Sequence, residues 1–210
     1  MEPLFKPPVL LIVAHWDDEI FSAGGTLVKY GKGWTVVSAT WKPHPNVRSH
    51  GEIFDRVCRD IGAIPATLPI CQRTRNNNID YDTPKTELLN PLIHNKLRKK
   101  FGRHLEEFNT IITHNQDGDL GGHVQHVQLN TSVREIFKDK DIYTFVQAPA
   151  LIRKISEDAI NDYCKEKATH FVELTDDEYK KKIEFVKMYK PYYPRFAASN
   201  ALNKIEWFKK

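Results

Sequence analysis

Cysteine is scarce in this 210-residue chain: Cys58, Cys71 and Cys164 make an odd three, with no Cys-x-x-Cys pair among them. Neither a disulfide framework nor a thiolate zinc knot is therefore expected. Long apolar runs are missing too. The longest, Val9 to Ala14 among them, fall far short of the ~20 residues that span a bilayer. The amino terminus, Met1-Glu2-Pro3-Leu4-Phe5-Lys6-Pro7-Pro8, lacks the basic start and apolar stretch of a secretory signal. No large excess of one charge is present. Thirty-one Lys+Arg stand against 27 Asp+Glu, a formal +4, too little to point to nucleic acid, although it would not repel an anionic substrate. No period of ~20–50 residues repeats, and no linker-like segment splits the chain. With 40% hydrophobic and 28% charged residues, composition is that of a globular protein. The expectation is one soluble, cytoplasmic domain over residues 1–210, with no membrane span and no nucleic-acid partner. Asn130-Thr131-Ser132 matches a glycosylation acceptor, but it falls inside a predicted helix and is set aside.

What is present is an alternation of strands and helices. Val9 to Ala14 is a continuous apolar run, the mark of a strand buried on both faces. Ile20 to Tyr30 reads as a helix stopped by Gly31-Lys32-Gly33, and Thr35 to Trp41 as a second strand. After the Pro-rich loop Lys42-Pro43-His44-Pro45, Ser49 to Ile61 is helical. Ile53, Phe54, Val57, Cys58 and Ile61 share one face there, and Gly62 is the stop. Ala66 to Ile70 is a third strand, and the stretch around Asn76-Asn77-Asn78 a loop. Glu87 to Phe108 is mostly helical, interrupted near Pro91. Thr110 to His114 is a fourth strand, Asn115 to Gly122 a loop with three glycines, His123 to Phe137 a helix, and Ile142 to Gln147 a fifth strand. His170 to Leu174 is a candidate sixth, Thr175 to Tyr189 a Lys-rich helix, and the aromatic tail Tyr192 to Phe208 packs back on the body. This order predicts an α/β, Rossmann-like fold with a mostly parallel sheet and helices on both faces. Sites in such sheets lie beyond the carboxyl ends of the strands, where strand order reverses.

Chemistry concentrates at two such places. The first is Ala14-His15-Trp16-Asp17-Asp18-Glu19, directly after the first strand. Acidic residues at a helix start also cap free N–H groups. The chain holds its own control in Thr175-Asp176-Asp177-Glu178, which reads as a plain capping box. What sets the first site apart is His15, three residues before Asp18, so that a tight turn brings an imidazole and a carboxylate to one metal ion. The second place is Gly121-Gly122-His123-Val124-Gln125-His126. Residues three apart share a helical face, so His123 and His126 can point at one spot, and the glycines let the loop approach closely. In the common strand order the first and fourth strands are neighbours across the switch point. His15, Asp18 and His126 then make a two-histidine, one-carboxylate set. Three protein ligands with an open position is the layout of catalytic zinc.

At these residues the sequence resembles the PIG-L/LmbE family of metal-dependent N-deacetylases. Ala14-His15-Trp16-Asp17-Asp18-Glu19 is similar to that family's Ala-His-Pro-Asp-Asp-Glu, at five of six positions, and Gly122-His123-Val124-Gln125-His126 to its Gly-His-Pro-(Asp/Asn)-His. The resemblance covers roughly the first two-thirds of the chain. It implies a Rossmann-like fold, a metal that is usually zinc, and removal of acetyl from an N-acetylglucosamine unit carried on a larger molecule. Carried across, His15, Asp18 and His126 are the metal ligands and Asp17 the general base. His123 stabilises the oxyanion or protonates the leaving amine. Arg48, one residue off the family's spacing, is carried as a candidate substrate-binding arginine, against its reading as a surface salt-bridging arginine. Trp16 replaces the family's proline, and its indole either stacks on a sugar face or packs; Val124 and Gln125 replace Pro-(Asp/Asn), so no charge at 125 tunes the first histidine. The expected partner is a small N-acetyl sugar or glycoconjugate. The expected cofactor is Zn2+, with other divalent transition metals accepted by a histidine–carboxylate site.

Rival readings are a metal-dependent hydrolase of another amide, a catalytically impaired sugar- or metal-binding relative, and a domain without catalysis. A nucleotide-binding Rossmann domain is disfavoured, because Ser22-Ala23-Gly24-Gly25 is not Gly-x-Gly-x-x-Gly and lies inside a helix. Gly-x-Ser-x-Gly and Pro-Cys-x-x-Cys are absent, which disfavours serine hydrolases and zinc deaminases.

Overall fold

The computed structural model describes residues 4–39, 48–68, 70, 74–75, 78–79, 86–118, 123–148, 156–189 and 202–210. The Pro-rich loop at 42–45, Cys71, Gly121, Gly122 and the first part of the aromatic tail lie outside these residues. So does the Arg48 side chain.

The centre of the molecule is the apolar run at 9–13. It forms β1 (Val9–Val13), buried along its whole length. Val9, Leu11 and Val13 face one side of the sheet and Leu10 and Ile12 the other, each at most 1% exposed. A strand that buries both faces needs helices on both, and it has them. α1 (Asp18–Tyr30) and α2 (Arg48–Ile61) pack on the first side. α3 (Thr86–Phe101), with the 3-10 turn Gly102–Glu107, and α4 (Val124–Ile136) pack on the second. β2 (Thr35–Ser38) and β6 (Thr110–Thr113) flank β1, both parallel to it. Leu11 stands opposite Val36 and Ile112.

The seven-stranded sheet runs β3-β2-β1-β6-β7-β9-β8, with β3 Ile64–Thr67, β7 Asp141–Val146, β8 His170–Glu173 and β9 Ile205–Lys209. Five neighbouring strands are parallel, and β9 alone runs antiparallel, to both β7 and β8. Order reverses between β1 and β6, so the expected fold class is found with its switch point between the two motif-bearing strands. β4 (Thr74–Arg75) and β5 (Asn78–Ile79) form a small separate hairpin, so Asn78 is paired where a loop was expected. α5 (Glu157–Lys167) covers Val146 and Trp207, and α6 (Asp176–Met188) packs against α1.

Several boundaries differ from the sequence expectation, each for a physical reason. β3 begins two residues early and includes Pro65, tolerated because β3 is an edge strand with one side unpaired. α3 continues through Pro91 and breaks instead at Gly102, φ +56. The aromatic tail does more than pack back: it supplies β9, inserted between two other strands.

The Ser22–Gly25 stretch has a structural role. α1 kinks at Ala23 (φ −139, ψ 21), which frees the N–H groups of Gly25 and Thr26. Both donate to the Glu206 carboxylate, at 2.7 Å each. The Nζ of the fully buried Lys182 lies 2.8 Å from the same carboxylate. A Cβ on Gly25 would meet Leu174 at 2.3 Å, so any larger residue there would have to displace that buried side chain. Among the described residues no helix is long and apolar enough to cross a membrane.

Candidate metal centre

β1 ends at Val13, and the turn that follows carries His15 to the carboxyl edge of the sheet. The His15 backbone N–H donates to Asp18 Oδ2 at 2.8 Å, and His15 Nδ1 lies 3.1 Å from that oxygen. From the far side of the switch point comes α4. His126, in its first turn, brings Nε2 to 3.3 Å from Asp18 Oδ2 and 3.4 Å from His15 Nδ1. Three atoms from two stretches more than 100 residues apart thus form a triangle with edges of 3.1, 3.3 and 3.4 Å. A tetrahedral ion with bonds of about 2.0–2.2 Å has ligand–ligand edges of about 3.3–3.6 Å. Hydrogen bonds to oxygen run to about 3.2 Å, so the 3.1 Å edge fits either contact and the 3.3 and 3.4 Å edges are the ones of ion-sharing length. The donor set and its spacing fit a divalent ion with a fourth position left for water or substrate.

The neighbours of these atoms agree. With its ring proton on Nε2, His15 donates to Gln125 Oε1, 2.5 Å away. His15 Nδ1 then faces the Asp18 oxygen, a pairing that needs a positive charge between the two. Gln125 therefore orients His15. Burial alone would push the Asp18 carboxyl up. The imidazoles of His126 and His15, with the contact to His114, outweigh it and hold the group well below the usual carboxylate range.

His114 is a component that motif reading missed. It follows β6, is fully buried, and stacks on His126 at 3.7 Å between centroids. Its Nε2 accepts from the Ala14 N–H at 2.9 Å and lies 3.4 Å from Asp18 Oδ2. Two overlapping groups, Asp18/His114/His126 and His15/His123/His126, each have ligand atoms within 4.8 Å of one another. The commitment of His114 Nε2 to a backbone N–H favours His15 over His114 as the third ligand. The available signal was positional: His114 follows β6 as His15 follows β1. Asn130, of the discarded glycosylation sequence, is 2% exposed and donates to the His114 carbonyl at 2.7 Å.

Asp17 stands at the N-cap of α1, yet its side chain makes no capping hydrogen bond. The capping interpretation that competed with catalysis thus does not describe this carboxylate, which is 7% exposed. Thr175 and Glu178 do form the expected reciprocal box at α6. His123, the N-cap of α4, stacks on His126 at 4.4 Å and meets the His15 ring edge at 4.9 Å. Burial, then the nearby His126 and His15, pull its pKa down to about 4, so it is neutral at pH 7. Gly121 and Gly122 lie outside the described residues, and a close approach in the same loop is made by Gly118. Its φ is +73, its carbonyl accepts from the His123 N–H at 3.0 Å, and a Cβ there would meet that nitrogen at 2.5 Å.

Trp16 is 8% exposed, donates from Nε1 to Thr67 Oγ1 at 3.0 Å, and lies against Gly51 of α2. Of its two readings, packing is the one this geometry displays. Arg48 opens α2.

No family model matches this sequence, and no curated protein matches it. Solved structures, several deacetylases among them, do resemble its fold, at 11–15% identity. A deacetylase of the teicoplanin biosynthesis pathway superposes with a TM-score of 0.61 at 12% identity, over 95% of this chain and 96% of that one. N,N'-diacetylchitobiose deacetylase from Pyrococcus horikoshii gives 0.53 at 15% identity, over 89% and 71%. The 4-carboxy-2-hydroxymuconate hydratase GalB from Pseudomonas putida KT2440 also gives 0.53, at 12% identity, over 96% and 94%. One fold thus carries both deacetylases and a hydratase, and the choice of chemistry rests on the site.

Proposed function

We propose that this protein is a metal-dependent N-deacetylase that hydrolyses the acetamide of an N-acetylglucosamine-type sugar or glycoconjugate, giving acetate and a free amine. The observation that carries the proposal is the triangle of His15 Nδ1, Asp18 Oδ2 and His126 Nε2, with edges suited to a tetrahedral ion. A zinc ion held there would lower the pKa of water to about 7 and polarise the amide carbonyl.

The chain's own residues supply the rest. Asp17, neighbouring a ligand and not engaged in capping, accepts the proton as water oxygen attacks the carbonyl carbon. His123, neutral at pH 7, donates an N–H to the tetrahedral oxyanion; preorganised donors of this kind contribute ~3–4 kcal/mol. A histidine so seldom protonated is a poor source of the proton that the amine needs when the C–N bond breaks. Asp17 therefore returns the proton it took. Arg48, at the start of α2, is kept as a candidate for substrate binding. Trp16 contributes by packing α2 against the site turn.

Amine release from a panel of N-acetyl sugars and simple acyl-amines tests the assignment. Asp17→Ala is expected to retain its metal and lose turnover by about 100- to 10,000-fold. His15→Ala and Asp18→Ala are expected to lose the metal. Normal turnover of metal-loaded Asp17→Ala would overturn the base assignment, and release from acyl-amines but from no sugar would redirect the substrate class.

A further inference from the structure

The turn that carries Asp17 is disfavoured for a residue with a side chain, and the structure shows what imposes it. Asp17 has φ 153 and ψ −28, the one positive φ outside glycine among the described residues. Such a conformation persists only where the surroundings enforce it. Its carbonyl accepts from the Ile20 and Phe21 N–H groups at 3.1 and 3.0 Å. Its own N–H donates to Glu19 Oε2 at 2.9 Å. Glu19 Oε1 in turn accepts from the Tyr189 hydroxyl at 2.7 Å. Glu19 and Tyr189 are both 0% exposed. The Tyr189 ring is wedged among Ile20, Val57, Phe185 and Val186 and tilts against Phe21 at 5.8 Å. A ring so enclosed fixes its hydroxyl, the hydroxyl fixes the carboxylate, and the carboxylate fixes the Asp17 amide.

The control within the chain is instructive. At α6, Glu178 also accepts the N–H of an N-cap residue, Thr175, at 2.8 Å, from a side chain 24% exposed. Capping a helix therefore needs no buried carboxylate and no tyrosine beneath it. Burying one at residue 19 is costly, and the Thr175 box is absent here because the Asp17 side chain does not reciprocate.

We infer that Glu19 and Tyr189 are positioning residues: Tyr189, from the carboxyl end of α6, braces Glu19 so that Glu19 holds Asp17 in its strained turn beside the metal ligands. The catalytic side of this inference rests on the proposed role of Asp17 as base, and the geometric side does not. It gives the carboxyl-terminal third of the chain a role at the site.

The test is Tyr189→Phe, which keeps the ring and removes the hydroxyl. Four quantities are read: amide hydrogen exchange at Asp17, metal stoichiometry, and kcat and KM for amine release. The Asp17 amide is expected to exchange at least ~10-fold faster while the β1 amides keep their rates. Metal content and KM are expected to stay unchanged, with kcat falling about 10- to 100-fold through misplacement of the base. Glu19→Leu should expose the Asp17 amide likewise, and Glu19→Gln, which keeps an oxygen for that amide, should restore protection to within about 3-fold of wild type. Wild-type exchange at Asp17 in Tyr189→Phe would overturn the inference. So would equal acceleration throughout β1, or an unchanged kcat. If the wild-type protein released no amine from any substrate, the deacetylase proposal would fail by itself, and the exchange measurements would still decide the positioning.

Discussion

Asp17 and Asp176 both stand at a helix start, the first as the N-cap of α1 and the second as the first residue of α6, and behave differently. Asp176 is exposed and pairs with Lys204 at the surface. Asp17 is buried and its side chain makes no capping hydrogen bond. The pattern Asp-Asp-Glu occurs at both helices, so the letters could not separate them; His15 upstream could. His15, Asp18, His123 and His126 were legible because each stands at a fixed short offset from a partner of useful chemistry. His114, Gln125 and Tyr189 were not, because what they do depends on chain folded from far away. Tyr189 meets Glu19 across 170 residues, and no local spacing encodes that. Glu19 also carries a testable titration. Burial, with the Asp17 and Asp18 carboxylates close by, raises its pKa from 4.5 to about 8 against the opposing Tyr189 hydrogen bond. A raised folded-state value means stability present in full below about 4.5 and lost as pH climbs to about 8. His123, lowered from 6.5 to about 4, works oppositely, its contribution fading as pH falls through that range. Between pH 6.5 and 8 only the Glu19 slope of the two remains. In metal-free protein the urea midpoint should fall with rising pH across that window, and Glu19→Gln should flatten the curve. An equally steep curve in Glu19→Gln would refute the assignment.

At the scale of elements, periodicity served well where one kind of residue fills one face. The β1 run, the α2 stripe of Phe54, Val57 and Cys58, and the Thr175 capping box all read correctly. It failed where a charge sits inside. In Ile205–Lys209, Glu206 and Phe208 point to the same face, both buried. A buried carboxylate breaks the alternation by which strands are recognised, so β9 read as a tail. α5 escaped because, among its described side chains, only Ile160 and Cys164 are buried. Ser156, which accepts from the Ala159 N–H as N-cap, was the signal available. Glu206 is also the bond between β9, the α1 kink and α6, through Gly25, Thr26 and Lys182. Lys182→Met would strand that carboxylate without its buried cation, a loss of about 3–5 kcal/mol. Denaturant unfolding reads it directly, and a change below ~1 kcal/mol would mean that the Gly25 and Thr26 amides suffice alone.

For the whole molecule, the sheet order matters more than any one element. Placing β1 beside β6 brings two weak motifs, separated by more than a hundred residues, to one crevice. That adjacency was inferable from the general behaviour of doubly wound sheets; the ångström spacing of the ligand atoms was not. A site assembled from both halves of the parallel sheet exists only in the folded chain, so metal binding should stabilise the fold. At a free zinc concentration of 100 times Kd the gain is about 2.7 kcal/mol, seen as a raised unfolding midpoint in wild type and absent in His126→Ala. The most direct measurement is zinc stoichiometry by equilibrium titration, comparing wild type with His15→Ala, Asp18→Ala and His126→Ala, folding verified for each. One tight site per chain in wild type, lost or severely weakened in all three variants, is the predicted result. Undiminished binding in any of the three, or no binding in wild type, would contradict the shared metal centre.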